Sequence, residues 1–316
     1  MVTRMALVFR LTLVVLLALL AGCQSLYFYP QKPWYQNPAN IGLDYQDVVL
    51  IHPDGQRVHS WWLPTAKPAR GTVLFLHGNA QNISTHIVNV GWLVAHDVNV
   101  LALDYRGYGL RDGKAGIDNA VEDIQLAIHW LKQNPKTADK PLAAFGQSIG
   151  GSLLLAALSE PETLARADCA LVEGAFADYA DIMSDIMRQS WLLRWMRWMF
   201  TPFAPRGLQP VDVLADVQLP LFFLHSTEDN IIPLQHGQRL FEKAAEPKRW
   251  MSLHGPHIGS ARDSQYQAEV VSFLETACGF SRPPLTAPPE NNGAVPAEPP
   301  VSTTPTLPGN NRSVTF

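Results

Sequence analysis

A serine enclosed by glycines is the first residue of this chain whose setting suggests chemistry. Ser148 lies in the Gly-Gln-Ser-Ile-Gly-Gly run of residues 146–151, between an apolar stretch and a helical pattern that begins at Ile149. In such a run the glycines let a strand and the following helix approach closely, which holds the serine in a strained turn. The start of a helix also favours negative charge that develops nearby. The pattern therefore predicts that Ser148 is a nucleophile.

A serine hydroxyl at its ordinary pKa is a poor nucleophile, so a base and a group that orients the base are needed. Asp229 follows the predicted strand 221–225, and His257 lies in the loop after the predicted strand 249–253. Both loops leave the carboxyl ends of strands, and the chain order is Ser, Asp, His. We therefore predict that Asp229 and His257 face Ser148 as its orienting acid and its base.

Other residues compete for these two roles. His254 is nearer to the end of its strand than His257 and is a second candidate for the base. Glu173 ends the predicted strand 170–173 and is the main alternative acid, whereas Glu228 is expected to point away from the site.

Attack on a carbonyl also requires two backbone donors for the oxygen that becomes negative. The first is the amide of Ile149, and the second should come from the loop that reads His-Gly-Asn-Ala-Gln-Asn after another predicted strand. In this loop Gly78 permits close approach and the amide of Asn79 is the best candidate donor. We expect His77 to support the loop geometry and Asn82 to brace the loop.

Short apolar runs alternate with amphipathic stretches through the middle of the chain. Several of the runs are rich in β-branched residues or leucine, as is typical of parallel strands covered on both faces. The alternation predicts an α/β fold with a mostly parallel, doubly wound sheet of about eight strands, whose active groups lie at the carboxyl ends of the strands. The predicted strands are 48–51, 58–63, 72–76, 98–103, 141–145, 170–173, 221–225 and 249–253, and the predicted helices are 83–95, 119–131, 149–158, 234–244 and 264–277.

These motifs together resemble the α/β-hydrolase superfamily, in particular its single-domain branch of serine aminopeptidase-like and esterase-like hydrolases. The resemblance extends over about residues 45–278 and includes an Asp-Tyr-Arg-Gly-Tyr-Gly turn at 104–109. We interpret this turn as rigid, with Asp104 accepting backbone amides; the alternative is that Tyr105 lines the pocket. The resemblance predicts an α/β-hydrolase domain at residues 41–280.

The resemblance also implies a serine hydrolase that cleaves acyl bonds in a small-molecule or lipid-like substrate. Carboxylic esters are the leading substrates, while amides and thioesters require the same machinery. No metal and no organic cofactor is expected. The His-Gly-Gly-Gly loop of many lipases is absent, which argues against esters of bulky tertiary alcohols. A catalytically idle envelope lipoprotein that binds a partner is the alternative of a different class, and the oligomeric state is left open.

Residues 174–209 are too long for a plain crossover and are predicted to form a small helical cap insertion. Helical spacing in this segment would place Trp191, Trp195 and Trp198 on one face. Three interpretations are open: packing against the sheet, which is the ordinary outcome, a cap that faces substrate, or contact with a membrane interface. The cap interpretation predicts a preference for short and medium acyl esters.

The first 23 residues carry two arginines, an apolar run over 11–20 and then Ala-Gly-Cys. This run is too short to span a bilayer core of about 30 Å, so it predicts a signal peptide. The sequence Leu-Ala-Gly-Cys resembles a bacterial lipobox, which implies cleavage before Cys23 and lipid attachment to it. Residues 23–40 would then form a linker. We expect a protein anchored in the bacterial cell envelope, at the outer membrane and facing the periplasm.

Composition limits the remaining possibilities. The 36 residues 281–316 hold nine of the 25 prolines without periodic apolar positions, which predicts a disordered tail. The 24 basic and 28 acidic residues of the whole chain are scattered without a basic run, so nucleic acid is not expected as a partner. A disulfide between Cys169 and Cys278 is permitted in the periplasm, but two independently buried thiols fit the sequence at least as well, so we do not predict a bridge.

Overall fold

The computed structural model describes residues 27–110 and 113–281. The predicted signal peptide, Cys23 and all but the first residue of the predicted tail lie outside these residues. Within them the chain folds as an α/β protein around one large sheet, with a second sheet of two short strands.

The strands follow the sequence prediction closely. Each of the eight predicted strands is present, with ends that differ by at most two residues from those expected. Their bounds and those of the two short strands are β1 Tyr29–Pro30, β2 Gln46–Ile51, β3 Arg57–Leu63, β4 Gly71–Leu76, β5 Ala80–Gln81, β6 Val98–Asp104, β7 Leu142–Gln147, β8 Cys169–Glu173, β9 Leu221–Ser226 and β10 Lys248–Leu253.

The helices lie between the strands and pack on both faces of the sheet. In the described part of the chain, none of them is long and apolar enough to cross a membrane. The α-helices are α1 Ile83–His86, α2 Ile117–Gln133, α3 Ile149–Leu158, α4 Pro161–Leu164, α5 Tyr179–Gln189, α6 Arg197–Phe200, α7 Pro210–Val213, α8 Leu234–Lys243 and α9 Ser264–Ala277. Short 3-10 helices span Pro38–Ile41, Ile87–Asn89, Gly91–His96, Leu193–Trp195, Thr201–Phe203, Leu214–Asp216 and Ser260–Arg262.

The main sheet has the order β10-β9-β8-β7-β4-β6-β3-β2. Strands β10 to β6 in this order run parallel, and β3 and β2 add an antiparallel edge. Since β4 neighbours β7, with Leu76 paired to Gly146, the loops that leave these two strands emerge side by side. The α/β-hydrolase fold predicted from the sequence is confirmed.

Two apolar cores cover the two faces of this sheet. One contains α2 and α3, and the other contains α9 together with the chain that follows β5. All ten residues of α3 are buried, as expected of a helix that is apolar on every side. The helix that begins directly after Ser148 is therefore fixed over its whole length, which holds the serine at a defined point of the sheet edge.

The described part of the predicted linker, residues 27–40, does not behave as a linker. Tyr27 and Phe28 are buried in the core on the α3 face, and β1 pairs in parallel with β5 of the loop that follows β4. Long-range strand pairing of this kind leaves no periodic signal in a stretch of two residues. The packed domain therefore begins before residue 41, where the sequence analysis placed its start.

The predicted helix 83–95 is broken into α1 and two 3-10 helices. The stretch is rich in β-branched residues and contains Gly91, both of which lower helix propensity. Val90, at φ −130° and ψ −22°, lies outside the helical region and separates the pieces.

The predicted tryptophan helix is likewise interrupted. Helix α5 ends at Gln189, the following Ser190 is extended, and the next residues form only a 3-10 turn and the single turn of α6. Trp191, Trp195 and Trp198 are 78%, 71% and 74% exposed. The interpretation that they pack against the sheet is therefore wrong, because a side chain this exposed has little contact with the core.

A disulfide joins Cys169 in β8 to Cys278 after α9, with 5.3 Å between their Cα atoms. The sequence analysis left this pairing open, because the spacing of cysteines along the chain does not show which of them meet. In the structure the bond crosses 109 residues and ties the last helix to the centre of the sheet.

Removing this bond should destabilise the domain, because a long closed loop restricts the unfolded chain. We expect Cys169→Ala/Cys278→Ala to lower the free energy of unfolding by about 2–5 kcal/mol. Urea unfolding of parent and variant, each with and without reductant, measures the effect. The double variant is its own control, since reductant should not change it. A parent protein that unfolds identically in both conditions would contradict the prediction.

Candidate active site

Ser148 occupies a sharp turn between β7 and α3. Its φ of 55° and ψ of −126° lie in a region that residues other than glycine rarely adopt. The backbone amide of Ser148 helps to hold this turn, because it donates a hydrogen bond of 2.8 Å to the carbonyl of Glu173. Ser148 is only 7% exposed and opens into a cleft rather than onto the outer surface.

The glycines around Ser148 are required by close backbone contacts. A Cβ added at Gly146 would lie 2.5 Å from the carbonyl oxygen of Gly150, and one added at Gly150 would lie 2.5 Å from that of Leu76. Real Cβ atoms do not approach oxygen this closely. The strained serine therefore depends on having no side chain at these two positions.

His257 and Asp229 form a close pair beside this turn. Nδ1 of His257 lies 2.5 Å from Oδ2 of Asp229, while the other carboxylate oxygen accepts the amides of Ile231 and Ile232 at 2.9 Å each. Burial would raise the pKa of Asp229, but the hydrogen bond and charge of His257 and the two amides outweigh it and lower the pKa below its ordinary value. The ionised carboxylate is thus fixed against one nitrogen of His257, and the imidazole lines the same cleft as Ser148.

The competing residues are engaged elsewhere. Oε2 of Glu173 accepts hydrogen bonds from Gln147 at 2.7 Å and Tyr266 at 2.9 Å. Burial raises the pKa of Glu173 even though these bonds oppose the shift. His254 is largely exposed and lies 3.3 Å from Glu228, which also accepts the amide of Gly255. It is Asp229, and neither glutamate, that contacts Nδ1 of His257.

The loop after β4 and the start of α3 bring the two candidate oxyanion donors to the same cleft. Asn79 and Ile149 both line it beside Ser148. Nδ1 of His77 lies 2.7 Å from the carbonyl oxygen of Gly78. Because a trans peptide points its N–H away from its carbonyl, this contact fixes the direction of the Asn79 amide. His77 therefore holds the loop geometry, as expected from the sequence.

Asp104 supports this loop from behind. Its Oδ1 lies 3.2 Å from Nε2 of His77 and accepts the amide of Ile83 at 2.8 Å. Burial would raise the pKa of Asp104, but His59, His77 and the Ile83 amide together lower it. Tyr105 is buried outside the cleft lining, and its hydroxyl donates to the carbonyl of His77 at 3.0 Å. The interpretation of 104–109 as a rigid supporting turn matches this arrangement, whereas the pocket-lining role for Tyr105 does not.

Several groups that orient the site were not found in the sequence analysis. The carbonyl of Asn79 accepts the amide of Tyr29 at 2.9 Å and the hydroxyl of Tyr108 at 2.7 Å. Asn82, by contrast, was expected to brace this loop, and its side-chain amide donates to two carbonyls of the N-terminal segment, at 2.9 Å each. Tyr108 lies within the Asp-Tyr-Arg-Gly-Tyr-Gly turn, so that motif could have pointed to its role. No sequence motif points to Tyr29, because its contact joins distant parts of the chain.

The cleft has a volume of about 730 Å³ and an apolar wall. Such a volume is within the range of sites for small organic ligands. Apart from Ser148 and His257, its polar lining consists of amides, tyrosines and His86, and within the described residues no Asp, Glu, Lys or Arg lines it. One wall is formed by Ile182, Met183, Ile186 and Met187 of α5 and by Leu193 and Phe200 after it.

His86 adds a neutral polar group to this wall. Its burial and the neighbouring His77 lower the pKa of His86 to about 4. Nε2 lies 3.1 Å from the carbonyl oxygen of Ala80, so it is a donor in the neutral ring. The cleft therefore presents His86 as an uncharged imidazole at neutral pH.

The predicted insertion 174–209 contributes one wall of the cleft, but its tryptophans do not line it. The substrate-facing interpretation of Trp191, Trp195 and Trp198 is thus wrong, and the expected preference for short and medium acyl esters loses its basis. Aliphatic residues and Phe200 form the wall instead.

Comparisons with known proteins agree with this architecture. The family model described as serine aminopeptidase, S33, matches residues 67–213. The protein YfhR of Salmonella typhi is 30% identical over 268 residues, which cover 79% of this chain and 87% of YfhR. The chain belongs to the α/β-hydrolase superfamily. A plant relative is the α/β hydrolase domain-containing protein WAV2 of Arabidopsis thaliana. It is 26% identical over 245 residues, which cover 72% of this chain and 77% of WAV2.

Solved structures share the fold at low identity. The esterase Pf2001 of Pyrococcus furiosus has a TM-score of 0.67 at 20% identity and covers 80% of this chain and 98% of its own. The acylaminoacyl peptidase of Pyrococcus horikoshii has a TM-score of 0.54 at 15% identity, over 76% of this chain and 42% of its own. These structures show that the fold is shared, which agrees with the match to a hydrolase family.

The contact between His257 and Asp229 predicts which acid matters for activity. We expect Asp229→Asn to lower kcat/KM by about 10³–10⁴-fold, because the amide cannot hold the same imidazole tautomer or stabilise its charged form. Glu173→Gln should stay within about tenfold of the parent, since glutamine can still accept from Tyr266. Ester hydrolysis by both variants, with thermal melting as the folding control, measures this. The reverse order of effects would move the orienting role to Glu173.

Proposed function

We propose that the protein is a serine hydrolase that cleaves carboxylic esters with apolar acyl groups through Ser148, His257 and Asp229. The observation that carries this proposal is the 2.5 Å contact between His257 and Asp229 beside an apolar cleft that Ser148 also lines. A nucleophile, a base and an orienting acid in this relation are the parts that acyl transfer needs.

In the proposed reaction, the hydroxyl oxygen of Ser148 attacks the ester carbonyl carbon while Nε2 of His257 accepts the hydroxyl proton. Asp229 keeps Nδ1 protonated and stabilises the imidazolium. The carbonyl oxygen becomes negative and receives hydrogen bonds from the amides of Asn79 and Ile149. Collapse of this intermediate breaks the carbon–oxygen bond, and His257 returns its proton to the departing alcohol.

A water molecule completes the cycle. His257 takes a proton from the water as its oxygen attacks the acyl carbon bound to Ser148, and the same amides stabilise the second oxyanion. Collapse releases the carboxylic acid and returns the proton to the serine. The balance of the reaction is ester plus water to acid plus alcohol, and no cofactor takes part.

The composition of the cleft supports an ester over a free peptide. An aminopeptidase must hold the charged ammonium of its substrate, and a buried charge is costly unless it is paired. None of the described lining residues carries a carboxylate for that purpose, and His86 is neutral. Amide and thioester cleavage remain second candidates, the amide because the matching family model is described as serine aminopeptidase.

We further propose that the protein is a lipoprotein anchored through Cys23, at the outer membrane and facing the periplasm. The lipobox-like sequence before Cys23 supports an anchor. The disulfide between Cys169 and Cys278 supports an oxidising compartment, since structural disulfides are rare in the cytosol.

Replacing the nucleophile tests the activity. Ser148→Ala should abolish turnover of p-nitrophenyl esters, because no other group can form the acyl intermediate. Its melting temperature should remain close to that of the parent, since the hydroxyl borders the cleft. Initial rates and melting curves on the same samples provide both readouts. Residual activity within tenfold of the parent would refute the assignment of Ser148.

Replacing the proposed lipid attachment residue tests the location. In a Gram-negative host the parent should be processed in a globomycin-sensitive way and should fractionate with the outer membrane. Cys23→Ser should remain unprocessed or unlipidated, because the thiol that receives the lipid is gone. Immunoblots of membrane fractions and mass spectrometry of the amino terminus measure this. Unchanged processing of Cys23→Ser would count against the lipoprotein proposal.

A further inference from the structure

An exposed apolar surface surrounds one side of the cleft. Of the thirteen large hydrophobic side chains exposed in the described residues, seven lie in the segment 186–199. We call this surface the tryptophan face; its members are Ile186, Trp191, Leu192, Leu193, Trp195, Trp198 and Met199. Apolar patches of this kind on soluble domains mark sites of contact with proteins or membranes.

The tryptophan face is continuous with the opening of the cleft. Ile186 and Leu193 belong both to the face and to the cleft lining, and they are 48% and 40% exposed. Tyr29 and Ile231 are the other large hydrophobic lining residues of comparable exposure, so these four side chains mark the apolar part of the entrance. The cleft opening therefore adjoins whatever binds to the tryptophan face, and a molecule released from that binding partner would enter the cleft directly.

The face also carries positive charge. The segment 186–199 includes three arginines and no acidic residue, although the whole chain has a net charge of −4. Arg188 is paired with Asp185 at 3.2 Å, so Arg194 and Arg197 supply the net positive charge of the face. Arg194 is exposed and lies over the ring of Trp195, with 5.0 Å between its guanidinium carbon and the ring centroid. Tryptophan and arginine side by side suit the headgroup region of a bilayer, where an aromatic ring meets an anionic phosphate.

The short stretch of chain between Cys23 and Tyr27 would keep a membrane-anchored lipid close to the cleft. Cys23 precedes Tyr27 by four residues, which span at most about 14 Å when fully extended. Tyr27 itself lines the cleft, and its hydroxyl donates to the carbonyl of Tyr179 at the start of α5. A lipid attached at Cys23 would therefore hold the bilayer within about 14 Å of the cleft wall.

From these observations we infer that the tryptophan face docks on an anionic phospholipid bilayer and orients the cleft entrance toward it, so that lipid-borne acyl esters reach Ser148 from the membrane. The substrate part of this inference rests on the proposed hydrolase activity. The docking part does not, because the face and the catalytic residues are distinct.

Vesicle binding tests the docking without the anchor. The probe is the chain from residue 23 onward with Cys23→Ser, mixed with vesicles of phosphatidylcholine alone or with phosphatidylglycerol. We expect cosedimentation with the anionic vesicles. Trp195→Ala/Trp198→Ala should weaken it about tenfold, whereas Arg194→Glu/Arg197→Glu should abolish the preference for anionic over neutral vesicles.

Matched variants on the antiparallel edge of the sheet control for nonspecific effects. Ile51→Ala and Arg57→Glu replace exposed residues of β2 and β3 and should bind like the parent. All variants should hydrolyse p-nitrophenyl butyrate at the parent rate without vesicles, because none of the changed residues lines the cleft. A parent that turns over this ester but ignores both kinds of vesicle overturns the docking alone. A parent that binds vesicles but never hydrolyses an ester overturns the proposed function alone.

Two further outcomes also decide against the inference. If the tryptophan variant binds anionic vesicles as well as the parent, the face is not the docking surface. If size-exclusion chromatography without lipid shows a parent dimer that Trp195→Ala/Trp198→Ala converts to a monomer, the face is an interface between two copies of this chain.

Discussion

The strained turn at Ser148 is the constraint on which the rest of the site depends. A positive φ at a residue other than glycine is unfavourable, so it persists only where the surroundings enforce it. Here the enforcement comes from β7 on one side, from the fully buried α3 on the other, and from backbone contacts that exclude any side chain at Gly146 and Gly150. The turn also brings the amide of Ile149 to the cleft, so one local geometry supplies both the proposed nucleophile and one of the proposed oxyanion donors.

The remaining groups reach this point because of the order of the strands. The loop with Asn79 leaves β4, which neighbours β7, and the loops with Asp229 and His257 leave β9 and β10 at the same carboxyl edge. A chain of polar contacts from Asp104 through His77 to the carbonyl of Gly78 then sets the direction of the Asn79 amide. The N-terminal segment adds a contact to the same loop through Tyr29, which links the proposed anchor to the geometry of the site.

The sequence predicts the parts of this molecule whose causes are local. The eight strands follow from apolar runs, and the turn at Ser148 follows from its glycines. Asp229 and His257 follow from chain order and from their loops. The parts that depend on distant contacts leave no comparable signal: the pairing of β1 with β5, the disulfide across 109 residues and the buttressing of Asn79 by Tyr29. The tryptophan segment was misinterpreted because helical spacing was assumed from Trp191 to Phe200, where the chain forms only a 3-10 turn and the single turn of α6.

Covalent labelling of Ser148 tests the central claim most directly. A fluorophosphonate reacts with a serine whose hydroxyl is activated by a neighbouring base, so the folded protein should carry one adduct, mapped by mass spectrometry to the peptide that contains Ser148. His257→Ala, which retains the serine and loses the base, should label far more slowly. A folded parent that never labels, or an adduct on a different serine, would contradict the account.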